Sequence, residues 1–212
     1  MDGAQAVTQI FEAIHSVISD RAGGFYFSTL SLDQHRVYRV SFDGILTAVA
    51  GIGTPGFSGD GGQALSAQLT NPGGLALDGS GNLFIADSGN RRIRKVTPAG
   101  TISTVAGNGI EGFAGDGGPA TAARLFFPRD VAVDATGALL IADTGNVRIR
   151  KVSAAGIINT VAGTGQYGFT GDGGPATSAR LSSIQGITVD ASGNILIADT
   201  GNSRIRRVAA DG

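Results

Sequence analysis

The sequence predicts an all-β protein of the β-propeller class, and three observations carry that reading. First, one stretch recurs at a fixed interval. GDGGPATAARLFFPRDVAVDATGALLIADTGNVRIRKV, from Gly115 to Val152, returns little changed from Gly171 and is preceded by a copy from Gly59, so the starts are spaced by 56 residues. A period of this length marks a repeat architecture. Second, each copy divides into four short apolar runs separated by Asp-, Gly- and Asn-rich turns, the pattern of a four-stranded antiparallel blade. Third, no 3.6-residue apolar period persists in any copy, which excludes helical repeats.

The third copy shows the elements in order. Asp130 to Asp134 is short and β-branched and reads as strand a. Asp134 to Gly137 is a turn, with Asp capping its own backbone and Gly accepting positive φ. Ala138 to Ala142 is strand b, Val147 to Val152 strand c and Ile157 to Ala162 strand d, joined by turns at residues 143–146 and 154–156. A long Gly-rich loop, Gly163 to Leu181, leads into the next copy. A fourth, decayed copy opens the chain, with Asp2-Gly3 aligned on Asp60-Gly61 and Asp20 on Asp78. In it Val17 to Ser19 is strand a, Phe25 to Phe27 strand b, Val37 to Val40 strand c and Ile45 to Ala50 strand d, and the b–c turn from Thr29 to His35 is two residues longer than elsewhere. The blades span approximately 2–51, 59–107, 115–163 and 171–212 of a single domain, 1–212, and the last copy stops before its strand d. Four blades ending this way are expected to form an arc of a larger ring, with open edges that favour self-association.

Composition narrows the function classes. The net charge of −1 gives no global field for nucleic acid or an anionic membrane, and the absence of cysteine excludes disulfides and thiolate metal sites. No apolar run is long enough to insert in a membrane as a helix. The 35 glycines fit many tight turns.

The pattern P-x-G/D-V-A-V-D-x-x-G-N-L-x-I-A-D-S/T-G-N-x-R-I-R resembles the NHL-repeat propellers. It is carried by Pro72 to Asp78 with Asp87 to Ile93 and by their partners at +56 and +112, although Ile184 replaces the proline in the last copy. The inserted G-x-x-G-F-x-G-D-G-G-P-A loop resembles a bacterial subgroup and some large cell-surface proteins. The resemblance implies six-bladed rings and an extracellular or cell-envelope setting. The family includes RNA binders, protein binders and a lyase, so it leaves function open.

Repeated polar residues are expected to serve the framework. Asp87, Asp143 and Asp199, with Asn90, Asn146 and Asn202, close turns. Phe57, Phe113 and Phe169 pin the loop to the blade. Asp78-x-Ser80-x-Asn82 and Asp190-x-Ser192-x-Asn194 mimic the start of a calcium loop but lack its distal Glu, so a hairpin turn is the better reading. Of the 16 Lys and Arg, ten lie in the strand-c segments 91–95, 148–151 and 204–207. These read as a solvated strand toward the outside of the ring, with some Arg paired to Asp.

Specificity is expected where copies differ. Connectivity puts the long d–a loops on the face where strand a begins, beside the channel mouth. The strand-a starts read His15-Ser16, Gly73-Gly74, Arg129-Asp130 and Gln185-Gly186. With Tyr167, a copy-specific loop residue, and Asp116 and Asp172 of the Gly-rich loops, they make His15, Arg129, Asp130, Gln185, Asp116, Tyr167 and Asp172 the candidate ligand-binding set. No catalytic, metal or cofactor site is expected. Two histidines without a Ser-His-Asp spacing weigh against a metal-dependent lyase or hydrolase at the channel mouth, and near-neutral charge weighs against RNA. The expected role is a non-catalytic recognition or scaffold module that binds a protein, peptide or glycan on its loop-rich face.

Overall fold

The structure, a computed structural model, describes residues 3–6, 10, 11, 13–30 and 34–210. Asp2 and residues 31–33 of the long turn in the first copy lie outside them. Among the described residues fifteen strands form four antiparallel sheets, one per repeat, in simple meander order. The first holds β1 (Ile14–Ser19), β2 (Phe25–Thr29), β3 (His35–Val40) and β4 (Leu46–Gly53). The second holds β5 (Pro72–Leu77), β6 (Leu83–Asp87), β7 (Arg92–Val96) and β8 (Ile102–Ala106). The third holds β9 (Pro128–Val133), β10 (Leu139–Asp143), β11 (Arg148–Val152) and β12 (Ile158–Ala162). The fourth has three strands, β13 (Ile184–Val189), β14 (Ile195–Asp199) and β15 (Arg204–Val208). The protein is thus all-β and built of propeller blades, as the repeats predict. The chain divides into two compact units, Met1–Asn90 with Arg94–Thr104, and Arg91–Ile93 with Val105–Gly212.

The strand limits move for identifiable reasons. β9 begins at Pro128 rather than Asp130, because Pro128 pairs with Asp143 across an irregularity in the ladder. β11 begins at Arg148 because Val147 adopts a left-handed conformation, φ 53°. In the first copy β1 reaches back to Ile14 across a bulge, and β4 runs on to Gly53. Non-glycine residues with positive φ recur at the same two repeat positions: Asn71, Phe127 and Ser183 before strand a, and Arg91, Val147 and Ser203 before strand c. Such residues are strained unless the surroundings impose the conformation.

Each unit has its own core. In the first, Leu69, Leu75, Leu83, Ile85 and Ile102 are buried together with Val37. In the second, Leu140, Ile149, Leu181, Ile184 and Ile197 form the equivalent cluster. The central strands β6 and β10 are buried on both sheet faces, as packing on both sides requires.

The Gly-rich loops do not lie where connectivity alone put them. Residues 115–120 leave the strand-a side and run along the d edge of their own sheet. Gly117 N–H donates to Ile158 O at 2.8 Å, Ile158 N–H to Gly118 O at 3.0 Å, and Ala120 N–H to Gly156 O at 2.8 Å. The second copy repeats these bonds with Gly61, Gly62 and Ala64 against Ile102 and Gly100. The first copy does so with Gly3, Ala4 and Ala6 against Leu46 and Gly44, which supports its alignment. The segment therefore covers the edge strand, whose backbone groups would otherwise face solvent. Glycine makes the approach possible: at Gly115, with φ +95°, an added Cβ would sit 2.7 Å from Ala123 Cα.

Candidate functional site

The repeated polar residues form one closed network per repeat. In the third, Asp143 is fully buried at the end of β10. Its Oδ1 accepts from Phe126 N–H at 2.8 Å, and its Oδ2 from the Asn146 amide at 2.8 Å and from Arg150 at 3.3 Å. Arg150, also fully buried, donates through Nε and Nη2 to Asp116 at 3.1 and 2.7 Å and through Nη1 to Arg124 O. Its guanidinium carbon lies 4.8 Å from the centre of the Phe113 ring. The second repeat builds the same network from Asp87, Arg94, Asp60, Asn90 and Phe57, and the fourth from Asp199, Arg206, Asp172, Asn202 and Phe169.

This narrows the reading of strand c as a solvated basic strand, since two of its ten basic residues are buried and the others are half-buried or exposed. Arg94 and Arg150 are fully buried under the Gly-rich segment, because the second and third repeats each supply two carboxylates and several carbonyls that satisfy the guanidinium. The expected Arg–Asp pairing is present within each repeat. Burial pushes Asp143 up to about 6, against the hydrogen bonds of Asn146 and Phe126 and the charge of Arg150. The phenylalanines do pin the loop, through arginine rather than through the core alone. The signal for a buried arginine was available: Arg94, Arg150 and Arg206 each follow a Gly-rich-loop Asp by 34 residues.

The a–b turns are hairpin turns closed by their own aspartates. Asp78 Oδ1 accepts from Ser80 and Asn82 N–H and Oδ2 from the Asn82 amide, and Asp190 does the same with Ser192 and Asn194.

Within the second unit the predicted site residues fall in more than one place. Asp116 and Asp172 belong to the arginine network on the d edge, because the Gly-rich loop carries them there. Tyr167 is 65% exposed in the loop before β13. His15 is half-buried in β1, in the first unit. The second unit brings together Arg129, Asp130 and Gln185, at the starts of the adjacent strands β9 and β13. Asp130 Oδ1 accepts from Val131 N–H at 2.9 Å and its Oδ2 from Ile187 N–H at 2.8 Å, which ties the two strands. Burial pushes Asp130 up to about 6, opposed by those two N–H groups. Arg129 Nε is buried without a hydrogen-bond partner among the described residues. His35, which the sequence puts at the end of the long b–c turn, is instead the first residue of β3, where it is buried and accepts from Asn71 N–H through Nδ1 at 3.1 Å, helping to hold Asn71 in its left-handed conformation. Among the described residues no group of three or more His, Cys, Asp or Glu is placed to hold a metal ion.

The model of the teneurin NHL domain matches residues 53–112 and 109–170, and that of the NHL repeat matches residues 181–208. The chain belongs to the NHL-repeat family. Mouse Teneurin-1 is 38% identical over 103 residues, a match that takes in 42% of this chain and 4% of the relative. The chain therefore spans a small fraction of that relative's length. Among solved structures, a streptogramin B lyase superposes with TM-score 0.59 at 16% identity, covering 94% of this chain and 52% of the other. A chain of a nidogen/laminin complex superposes with TM-score 0.64 at 20% identity, covering 93% and 61%. At these identities the likeness is one of fold. No helix among the described residues is long and apolar enough to cross a membrane.

Proposed function

We propose that this NHL chain is a non-catalytic recognition module that binds a protein, peptide or glycan in an extracellular or envelope setting. One observation carries the reading. The repeated polar residues are consumed by the framework networks, whereas the copy-specific Arg129 and Gln185 stand half-buried at the starts of adjacent strands, outside those networks. A rigid repeat scaffold with individual residues at its strand starts is suited to recognition. The likeness in fold to a chain solved in a nidogen/laminin complex accords with a protein partner.

The alternatives find less support. An enzyme drawing on Asp130, whose pKa burial raises toward neutrality, would find both its oxygens already accepting backbone N–H groups. An RNA surface would need the strand-c arginines, of which Arg94 and Arg150 are fully buried.

The test is to probe peptide and glycan arrays with the labelled chain and with Arg129→Ala and Gln185→Ala variants. A defined ligand set that both variants lose, with unfolding midpoints unchanged, is the expected result. Identical binding by parent and variants would remove this site.

A further inference from the structure

Strand a of each repeat is bulged near its start, and the residues left out of the ladder change from copy to copy. In β9, Pro128 pairs with Asp143 and Asp130 with Ala142, so Arg129 has no partner across the sheet. In β13, Ile184 pairs with Asp199 and Gly186 with Ala198, so Gln185 is the extra residue. A bulge re-aims its extra side chain and is a common device beside binding sites. The two strands pack side by side, tied by the bond from Ile187 N–H to Asp130 Oδ2. That tie leaves Arg129 without a neighbour of opposite charge. Both Asp130 oxygens accept backbone N–H groups, and among the described residues Arg129 enters no ion pair. Arg91, Arg150 and Arg206 of the same unit each pair with a carboxylate. A half-buried guanidinium in this state is a site for an anion.

Phe127, on the other side of the buried Pro128, supplies an apolar surface. It is 43% exposed, and its backbone is left-handed, φ 52°. The equivalent positions hold Asn71 and Ser183, also left-handed, and Asn is a residue type that accepts this conformation. A bulky ring is thus held against its backbone preference without being buried in the core. An outlier of this kind beside an unpaired cation points to a ligand rather than to packing. Residues two apart in an extended chain lie about 7 Å apart, so one short segment can touch both Phe127 and Arg129. Building on the recognition reading above, we propose that the starts of β9 and β13 bind an acidic peptide segment. Its carboxylate meets Arg129, a nearby apolar side chain lies on Phe127, and a peptide group meets the Gln185 amide. Gln185 offers both a donor and an acceptor, the complement of a backbone amide. A neutral sugar would leave the charge of Arg129 unanswered.

The experiment selects a displayed library of random dodecapeptides in parallel on the immobilised full chain, on Arg129→Met and on Phe127→Asn. On the parent, the expected enriched motif has Asp or Glu within two residues of Leu, Ile, Phe or Trp. Arg129→Met is expected to lose the acid and keep the apolar position, and Phe127→Asn the reverse. Phe127→Asn installs the residue type found at position 71, so its unfolding midpoint is expected to hold or rise, which separates a lost contact from a lost fold. Replacing the acid of one enriched peptide by its amide should weaken binding to the parent about tenfold by fluorescence anisotropy, and leave binding to Arg129→Met unchanged. Because that arm changes only the peptide, it stands even if Arg129→Met unfolds. Enriched peptides without an acid, or equal acid enrichment on Arg129→Met, would overturn the proposal and leave the recognition reading in place. Binding to acidic glycans alone, lost in Arg129→Met, would do the same. No enriched peptide and no array ligand would overturn both.

Discussion

Replacing Arg150 by Met tests the claim that a buried guanidinium is a structural cross-link rather than part of a basic surface. The side chain is fully buried, and it bridges Asp143 at the end of β10 to Asp116 in the Gly-rich segment. Methionine keeps most of the packing but leaves the fully buried Asp143 with only the Phe126 N–H and Asn146 amide. Removing one partner of a buried ion pair costs about 3–5 kcal/mol, because the remaining charge is uncompensated. Losing the contact with the Phe113 ring adds about 1 kcal/mol. Domain stabilities are roughly 5–15 kcal/mol, so Arg150→Met should lower the urea midpoint severely. Arg206→Met is the internal control. Its guanidinium occupies the same repeat position, but it lies 3.8 Å from the buried Asp199, against 3.3 Å between Arg150 and Asp143, and its closer partner Asp172 is 67% exposed, so the cost should be about 2 kcal/mol. Adding Asp143→Asn to Arg150→Met should restore part of the loss, since the neutral amide needs no cation. The gap between parent and Arg150→Met should also narrow from pH 7 to pH 5, as Asp143 takes up a proton in the variant. Urea unfolding followed by circular dichroism reads all four chains. A loss below about 1 kcal/mol for Arg150→Met, or equal losses at Arg150 and Arg206, would refute the reasoning. The first repeat shows that the network is dispensable when all its members change together. There Tyr38 stands in the register position of Arg150 and Thr29 in that of Asp143, and Tyr38 stacks on Phe27 at 5.3 Å beside Phe11.

Two further outcomes follow from local geometry. Asp130 has its pKa raised by burial from 3.8 to about 6, so its contribution to stability is fully present below pH 3.8 and is lost as pH rises through 6. The shift corresponds to about 3 kcal/mol, and the stability of the parent relative to Asp130→Asn should fall by about that amount between pH 4 and pH 7; a pH-independent difference would contradict the assignment. Ser203 is exposed and held at φ 55°, where a side chain is strained. Ser203→Gly should raise stability by about 0.5–1 kcal/mol, and a lower urea midpoint would show that the conformation carries no strain.

Much of the fold could be read directly. Period, turn residues and alternating apolar runs located all four repeats, including the decayed first copy, whose residues 3–6 pair with β4 as the alignment requires. Strand ends were less legible. They depend on left-handed residues such as Val147 and Phe127, whose types do not announce that conformation; the packed repeat imposes it. The candidate site was legible only in part. Copy-to-copy variation pointed to Arg129, Asp130 and Gln185, which the structure does bring together. The setting of Asp116 and Asp172 among glycines pointed to them as well, but they are arginine partners elsewhere.

The sequence by itself determined the all-β class, the four blades, the Asp-closed hairpin turns and the membership of repeated residues in a common framework, because these follow from local chemistry recurring every 56 residues. Only the tertiary structure decided that the Gly-rich segment runs along the d edge and that Arg94 and Arg150 are buried beneath it. Both depend on groups 34 residues apart meeting in space. A guanidinium can leave water only where carboxylates and carbonyls surround it, and no local pattern states where those groups converge.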